Sequence, residues 1–124
     1  MNFIKNIGSP EIFECDIDLA SPNNSTNLGG VDATEFTGGV EGNSTPLFLE
    51  IEDHYELILG TQSGKFFRYT DVDQNLDEES EFTLVSDSLA IVHTGSHISM
   101  ALADLNGNGE LECVVGNNRG GLSL

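Results

Sequence analysis

One pattern occurs twice in this chain, and it limits the fold more than any other feature. Pro46-Leu47-Phe48-Leu49-Glu50-Ile51 aligns with Met100-Ala101-Leu102-Ala103-Asp104-Leu105. Glu56-Leu57-Ile58-Leu59-Gly60-Thr61-Gln62-Ser63-Gly64 aligns with Glu112-Cys113-Val114-Val115-Gly116-Asn117-Asn118-Arg119-Gly120. Each half reads strand, acidic loop, apolar strand, glycine, three-residue turn, glycine, strand. Gly116 follows Gly60 by 56 residues, and the second acidic loop is two residues longer. A unit of this size cannot cover both of its own faces, so repeats of it stack on one another.

The rest of the chain reads in the same way. Helical periodicity with caps is nearly absent. Ile12 to Leu19 alternates, with Phe13, Cys15, Ile17 and Leu19 on one side and Glu14, Asp16 and Asp18 on the other, as a half-solvated antiparallel strand does. Further strands are expected at 47–51, 56–59, 66–69, 82–85, 90–93, 100–103 and 112–115, with Gly, Asn, Ser and Asp in the gaps. Leu57-Ile58-Leu59 and Cys113-Val114-Val115 are apolar at successive positions, which implies burial on both faces. The expected class is all-β: antiparallel meander blades of a partial β-propeller, about two blades, with a small β-sandwich as the alternative. Three regions follow. Residues 1–44 hold the N-terminal strand and a Gly/Asn/Ser-rich loop region, 45–95 the first unit, and 96–124 the second, which stops short of its outer strands.

Charge narrows the partners. Asp and Glu number 21 against 4 Lys and Arg, a net charge of −17 over 124 residues. Such a surface repels nucleic acid and anionic lipid and attracts cations, and part of it serves solubility alone. With 38% hydrophobic residues a folded core is still expected. No apolar run reaches the length of a membrane span. The first eight residues hold Lys5 but no sustained apolar stretch, so they do not read as a signal peptide. Cys15 and Cys113 are too few for a disulfide framework, and each sits in an apolar strand where a free thiol packs as a small hydrophobe.

Chemistry concentrates in Asp104-Leu105-Asn106-Gly107-Asn108-Gly109-Glu110-Leu111-Glu112. Oxygen-bearing side chains stand at the first, third, fifth and ninth positions, where a loop coiling around a hard cation needs them. Gly109 follows the fifth, where the chain turns sharply. The main-chain carbonyl of Glu110 would supply the seventh-position ligand. An EF-hand begins alike but needs a bidentate Glu at position twelve, here Val115, and flanking helices, here strands.

With its preceding Ala101-Leu102-Ala103 and following Val114-Val115-Gly116-Asn117 and Gly120-Gly121, this stretch resembles the FG-GAP/VCBS repeat of integrin α-chain propellers and secreted bacterial proteins. The likeness is close over about 25 residues and looser over 45–70. It implies Ca2+ held by Asp104, Asn106, Asn108, Glu110 and Glu112, in a secreted, extracellular or cell-surface protein. Asn108 and Glu112 both replace the family's usual Asp. Two formal charges then face the ion, which places the affinity at the weak extracellular end, roughly 0.1–1 mM. The implied role is non-catalytic: adhesion, binding of a protein or carbohydrate ligand, or scaffolding. The alternative is an accessory propeller of a secreted hydrolase or lyase whose catalytic residues lie elsewhere. Two blades leave open faces, which implies self-association or the remainder of a longer chain.

The other candidates carry less. Glu50 to Glu56 lacks both glycines and reads as a plain acidic turn. Asp71 to Glu79 spaces carboxylates alternately without a turn glycine and reads as a solvated connection, with a second cation site as its alternative. His93 and His97 are split by Gly95 and sit in a turn. Ser63, Ser96 and Ser99 lie in no nucleophile elbow, and Asp53-His54 has no partner nucleophile. No enzyme is expected.

Overall fold

The structure, a computed structural model, describes residues 3–4, 9, 11–12, 14, 24–25, 27–33, 43–76, 80–87, 89 and 95–124. Among these the chain is all-β. Short strands β1 (Phe3–Ile4) and β2 (Asn24–Ser25) pair antiparallel. A four-stranded meander follows, β3 (Thr45–Ile51), β4 (His54–Gly60), β5 (Phe66–Thr70) and β6 (Thr83–Ser86), in sequential order. The second unit forms a three-stranded meander, β7 (Ser99–Ala103), β8 (Glu112–Gly116) and β9 (Leu122–Ser123). A 3-10 turn at Leu28–Gly30 is the one helical element among the described residues. No helix among them is long and apolar enough to cross a membrane.

The internal repeat is visible in the hydrogen-bond register. Thr45 opposes Gly60, Leu47 opposes Ile58 and Leu49 opposes Glu56. At the aligned positions Ser99 opposes Gly116, Ala101 opposes Val114 and Ala103 opposes Glu112. The third strands agree as well, with Gly60 against Phe66 and Gly116 against Leu122. Register of this kind follows from side-chain alternation, because a slip by one residue would exchange the faces.

The first meander is covered on both sides. Leu57, Leu59 and Tyr69 pack with Leu28, Val31, Val72 and Phe82. On the opposite face Ile58 and Phe66 meet Ile98 and Val115 of the second unit, flanked by Leu49, Met100 and Cys113. Leu57, Leu59, Phe66 and Ile98 are fully buried, each worth roughly 1.5–3 kcal/mol relative to exposure. The run Leu57-Ile58-Leu59 thus does what its unbroken apolarity requires. The second meander differs: Val115 is buried, but Val114 is only half-buried and Leu122 is 79% exposed.

Among the described residues, three main-chain or side-chain bonds stitch the units together. Ile98 N–H donates to Thr61 O (3.3 Å), His97 N–H to Gln62 O (3.0 Å), and Thr45 Oγ1 to Ile98 O (2.6 Å). Gly60 is needed here. A Cβ at that position would collide with the Ile98 carbonyl and Thr45 Oγ1, so only glycine lets the units approach.

The region read as a loop contributes more than its composition indicated. Leu28 and Val31 are core residues, and Gly29 O accepts the Phe82 N–H at 2.9 Å, so this stretch lids the first sheet. Most of the expected strands at 12–19 and 90–93, and the hairpin expected at 33–37, lie outside the described residues, as does Cys15. Cys113 carries a free thiol, and burial pushes its pKa up.

Candidate cation-binding loop

The loop joining β7 to β8 begins at Asp104, which stands at the end of a strand with every neighbour up to Leu111 exposed. Leu105 and Leu111 are 60% and 56% exposed, so no apolar core orders this segment. Its order comes from side-chain oxygens binding the loop's own amides. Asp104 Oδ1 accepts the N–H of Gly107 at 2.6 Å and of Asn108 at 3.1 Å, while Oδ2 accepts Gly109 N–H at 2.9 Å. Asn106 Oδ1 accepts Asn108 N–H at 2.9 Å, and Asn108 Oδ1 accepts Glu110 N–H at 2.7 Å. Glu112 closes the loop from β8: its Oε2 accepts Leu105 N–H at 2.6 Å and its Oε1 accepts Asn106 Nδ2 at 2.5 Å.

The curl requires left-handed backbone at Gly107 (φ 76°) and Gly109 (φ 88°). Space is not the constraint, since nothing lies within 4 Å of a Cβ at either position. The conformation itself excludes a side chain, at a cost of about 1–2 kcal/mol per residue.

Electrostatics follow from this collar. Backbone N–H groups hold the Asp104 carboxyl below the usual aspartate range, Gly109 contributing most and Gly107, Asn108 and Asn106 adding to it. Amides aimed at a carboxylate favour its charged form. The loop therefore presents an ionised carboxylate collared by backbone N–H groups, with the side-chain oxygens of Asn106, Asn108 and Glu112 bonded elsewhere in the same loop.

The five predicted residues are connected in one hydrogen-bond network: Asn108 N–H bonds to both Asp104 and Asn106, Asn106 Nδ2 donates to Glu112, and Asn108 Oδ1 accepts the Glu110 N–H. The donor set is all oxygen, the kind a hard divalent ion takes. Each oxygen that accepts one N–H keeps lone-pair capacity for a further partner. These residues fit a calcium ion by the chemistry of their donors. Among the described residues no three His, Cys, Asp or Glu side chains come together, and the loop itself supplies only two carboxylates alongside its amides.

The corresponding hairpin of the first unit is shorter and differently built. Ile51 opposes His54, so Glu52 and Asp53 alone make the turn. Glu52 takes φ 56° without being glycine. Its carboxylates do not converge. Tyr55 OH donates to Glu50 Oε2 at 3.3 Å, and Asp73 Oδ2 from the β5–β6 connection accepts Tyr55 N–H at 2.8 Å. The nearby negative charge of Glu50 raises the Tyr55 pKa. Asp71 carries φ 61°, and its carbonyl accepts Asn75 Nδ2 at 2.7 Å. The connection thus uses Asp71 and Asp73 to hold its own turn and to cap β4; residues 77–79 lie outside the described set.

One charged pair escaped the sequence reading. Glu56, aligned with Glu112, is 5% exposed. It receives a two-pronged contact from Arg68: Nε to Oε2 at 2.7 Å and Nη2 to Oε1 at 2.6 Å. The Arg68 bonds hold the Glu56 carboxyl below its usual range. Arg68 opposes Ile58 on the neighbouring strand, a cross-strand proximity that only the register reveals. His54 Nε2 lies 3.8 Å from Glu56 Oε1. His97 is exposed, φ 55°, with its Nδ1 3.3 Å from Ser96 Oγ; His93 is outside the described residues.

No protein family, curated protein or solved structure matched the chain.

Proposed function

We propose that this chain is a calcium-binding repeat module of a secreted or cell-surface protein, built as propeller blades of the FG-GAP/VCBS kind and acting in adhesion, ligand binding or scaffolding. The observation that carries the reading is the 104–112 loop. An exposed segment with no apolar packing curls its backbone amides around one ionised carboxylate, and the oxygens of Asn106, Asn108 and Glu112 bind other N–H groups of the same short loop. The shared strand register of the two units supports the blade reading. Asp104, Asn106, Asn108 and Glu112 would hold the ion through side chains and Glu110 through its carbonyl. Bound calcium would tie the β7 and β8 ends together and stiffen the loop as a recognition surface.

Thermal melts in calcium and in chelator test this. With a dissociation constant of about 0.1 mM and about 10 mM calcium, mass action adds roughly 2.7 kcal/mol of stability. Magnesium should add far less, because it demands small octahedral geometry and dehydrates reluctantly. Asp104→Ala should abolish the shift and Asp53→Ala should leave it intact. Equal loss at both positions would reassign the effect to screening of the acidic surface, and no shift at all in the parent chain would overturn the proposal.

A further inference from the structure

We propose that a cleft beside β3 and β4 of the first unit binds a small organic cation whose nitrogen is fully alkylated, a quaternary ammonium. The cleft has a volume of about 240 Å³ and is lined by Leu28, Phe48, Tyr55, Val72, Asp73 and Leu76. It lies in the other unit from the 104–112 loop and shares no residue with it, so it stands apart from the calcium reading.

The strand register builds the cleft. Phe48 opposes Leu57 and Glu50 opposes Tyr55, so these side chains share the sheet face on which Leu57 meets Leu28. Leu28 and Val72 are its buried walls, while Phe48, Tyr55 and Leu76 are 44%, 42% and 47% exposed. Hydrogen bonds hold this shape without a ligand. Asp73 Oδ2 accepts Tyr55 N–H at 2.8 Å, and Tyr55 OH donates to Glu50 Oε2 at 3.3 Å. Asn75 fixes the connection that carries Val72 and Asp73, its N–H bonding Val72 O at 3.1 Å and its Nδ2 bonding Asp71 O at 2.7 Å. A preformed site loses little binding free energy to its own ordering.

The chemistry of the walls selects the ligand. Among the described residues that line the cleft, Asp73 is the one charged group and the other five are apolar or aromatic. Glu50 adds a second carboxylate one hydrogen bond away, through Tyr55 OH. The basic groups of these strands face the other way: Arg68 and His54 engage Glu56, which alternation puts on the opposite side of the sheet from Tyr55. An acidic rim on a chain of net charge −17 repels anions and attracts cations. An ammonium with N–H groups needs an acceptor for each of them, and apolar walls offer few. Asp73 Oδ2 and Glu50 Oε2 already hold donors. A quaternary nitrogen has no N–H to satisfy, and aromatic rings such as those of Phe48 and Tyr55 attract it. The volume is below the roughly 300 Å³ at which sites for drug-sized ligands begin, so the ligand is small. A free ion fits better than a phosphocholine lipid headgroup, whose phosphate would meet Asp73 and Glu50.

The test titrates the full chain with choline, with the neutral tert-butyl isostere of choline, and with ammonium. Ionic strength and calcium are held fixed, and backbone amide resonances are followed. Choline should shift the amides of Tyr55 and Asp73 saturably. The isostere should bind at least about 5-fold more weakly, because it keeps the shape and loses the charge. Ammonium should give no saturable shift at these amides. Asp73→Asn keeps an oxygen for the Tyr55 N–H and should weaken choline binding about 2- to 5-fold, as loss of a partly exposed charge pair does. Phe48→Leu should weaken it at least about 2-fold. Glu110→Gln, in the second unit, should leave it unchanged, as should Asp104→Ala, which separates this site from the calcium loop. Equal binding of the isostere would overturn the proposal by making the cleft merely apolar. Equal losses in Asp73→Asn and Glu110→Gln would overturn it by assigning the effect to the acidic surface as a whole. Absence of saturable choline binding by a chain with dispersed, folded resonances would also overturn it, and so would binding to phosphatidylcholine vesicles without binding to free choline.

Discussion

The two repeat units share one strand register and put it to opposite uses. In the first, a two-residue turn joins strands of seven residues, and the sheet is covered on both faces. In the second, strands of five residues lead into a long exposed loop, and the sheet is covered on one face. The aligned glutamates show the divergence most clearly. Glu56 is buried and held by the Arg68 fork. Glu112 faces an exposed loop and accepts amides from Leu105 and Asn106. Position 124, aligned with Arg68, is leucine, so the second unit lacks the guanidinium that holds Glu56 at that position. A carboxylate at a fixed place in a ladder becomes a structural anchor or part of a loop according to what the neighbouring strand and hairpin offer it.

Substitutions at matched positions measure this asymmetry. The largest difference is expected in the cores. Leu57→Ala should cost about 2–5 kcal/mol, as a fully buried leucine does, whereas Val114→Ala should cost under about 1 kcal/mol. Denaturant titration of both variants decides it, and similar losses would mean that the second sheet is as enclosed as the first.

The glutamates come next. Glu56→Gln removes a charge that Arg68 pairs with in a nearly buried position, for a loss of roughly 1–3 kcal/mol. Glu112→Gln in chelator should cost under about 1 kcal/mol: the glutamine oxygen replaces only one of the two carboxylate oxygens that accept Leu105 N–H and Asn106 Nδ2, but the donor left over lies in an exposed loop that water reaches. If the two variants melted alike, the anchor role of Glu56 would be lost.

Turn substitutions should have opposite signs. Gly109→Ala forces a side chain into left-handed backbone and should destabilise by about 1 kcal/mol, while Glu52→Gly relieves a similar strain and should stabilise by a few tenths up to about 1 kcal/mol. The same denaturation experiment reads both. A loss at position 52 would mean that contacts of the Glu52 side chain outweigh its backbone strain.

The smallest effect is in acid. Asp104 has a depressed pKa in the folded loop. Its stabilising bonds are therefore complete above the ordinary aspartate value of about 3.9 and are lost as pH falls below it. The amide resonances of Gly107 and Gly109 should shift together with a midpoint under about 3.9. A midpoint at or above that value would remove the backbone collar from the account. Glu56, likewise depressed by Arg68, titrates in the same direction, so its loss should accompany but not precede general acid unfolding.

Much of this was legible from residues alone, because it rests on local rules. The paired register came from two aligned segments, the loop from alternating oxygens with a glycine at the bend, and the plain hairpin from the absence of glycines around Glu52. Where the reading fell short, the missing information was long-range. Leu28 and Val31 sit among Asn, Ser and Gly without periodicity, yet they cap the first sheet through contact with Phe82. Arg68 reaches Glu56 only because β5 runs beside β4 in one register.

The same limit explains the one place where identical signals led to different outcomes. Leu57-Ile58-Leu59 and Cys113-Val114-Val115 are both unbroken apolar runs, and each was expected to be buried on both faces. Alternation, turn chemistry and the collar of amides around Asp104 are properties of neighbours along the chain, so the amino-acid order determined them. Whether a face is covered depends on segments far away in sequence: Leu28 and Phe82 on one side of the first sheet, Ile98 and Val115 on the other. Hydrophobic burial is non-directional and takes whatever surface comes within reach. Only the tertiary structure could decide that Ile58 is enclosed and that Val114, in the same register, still faces water.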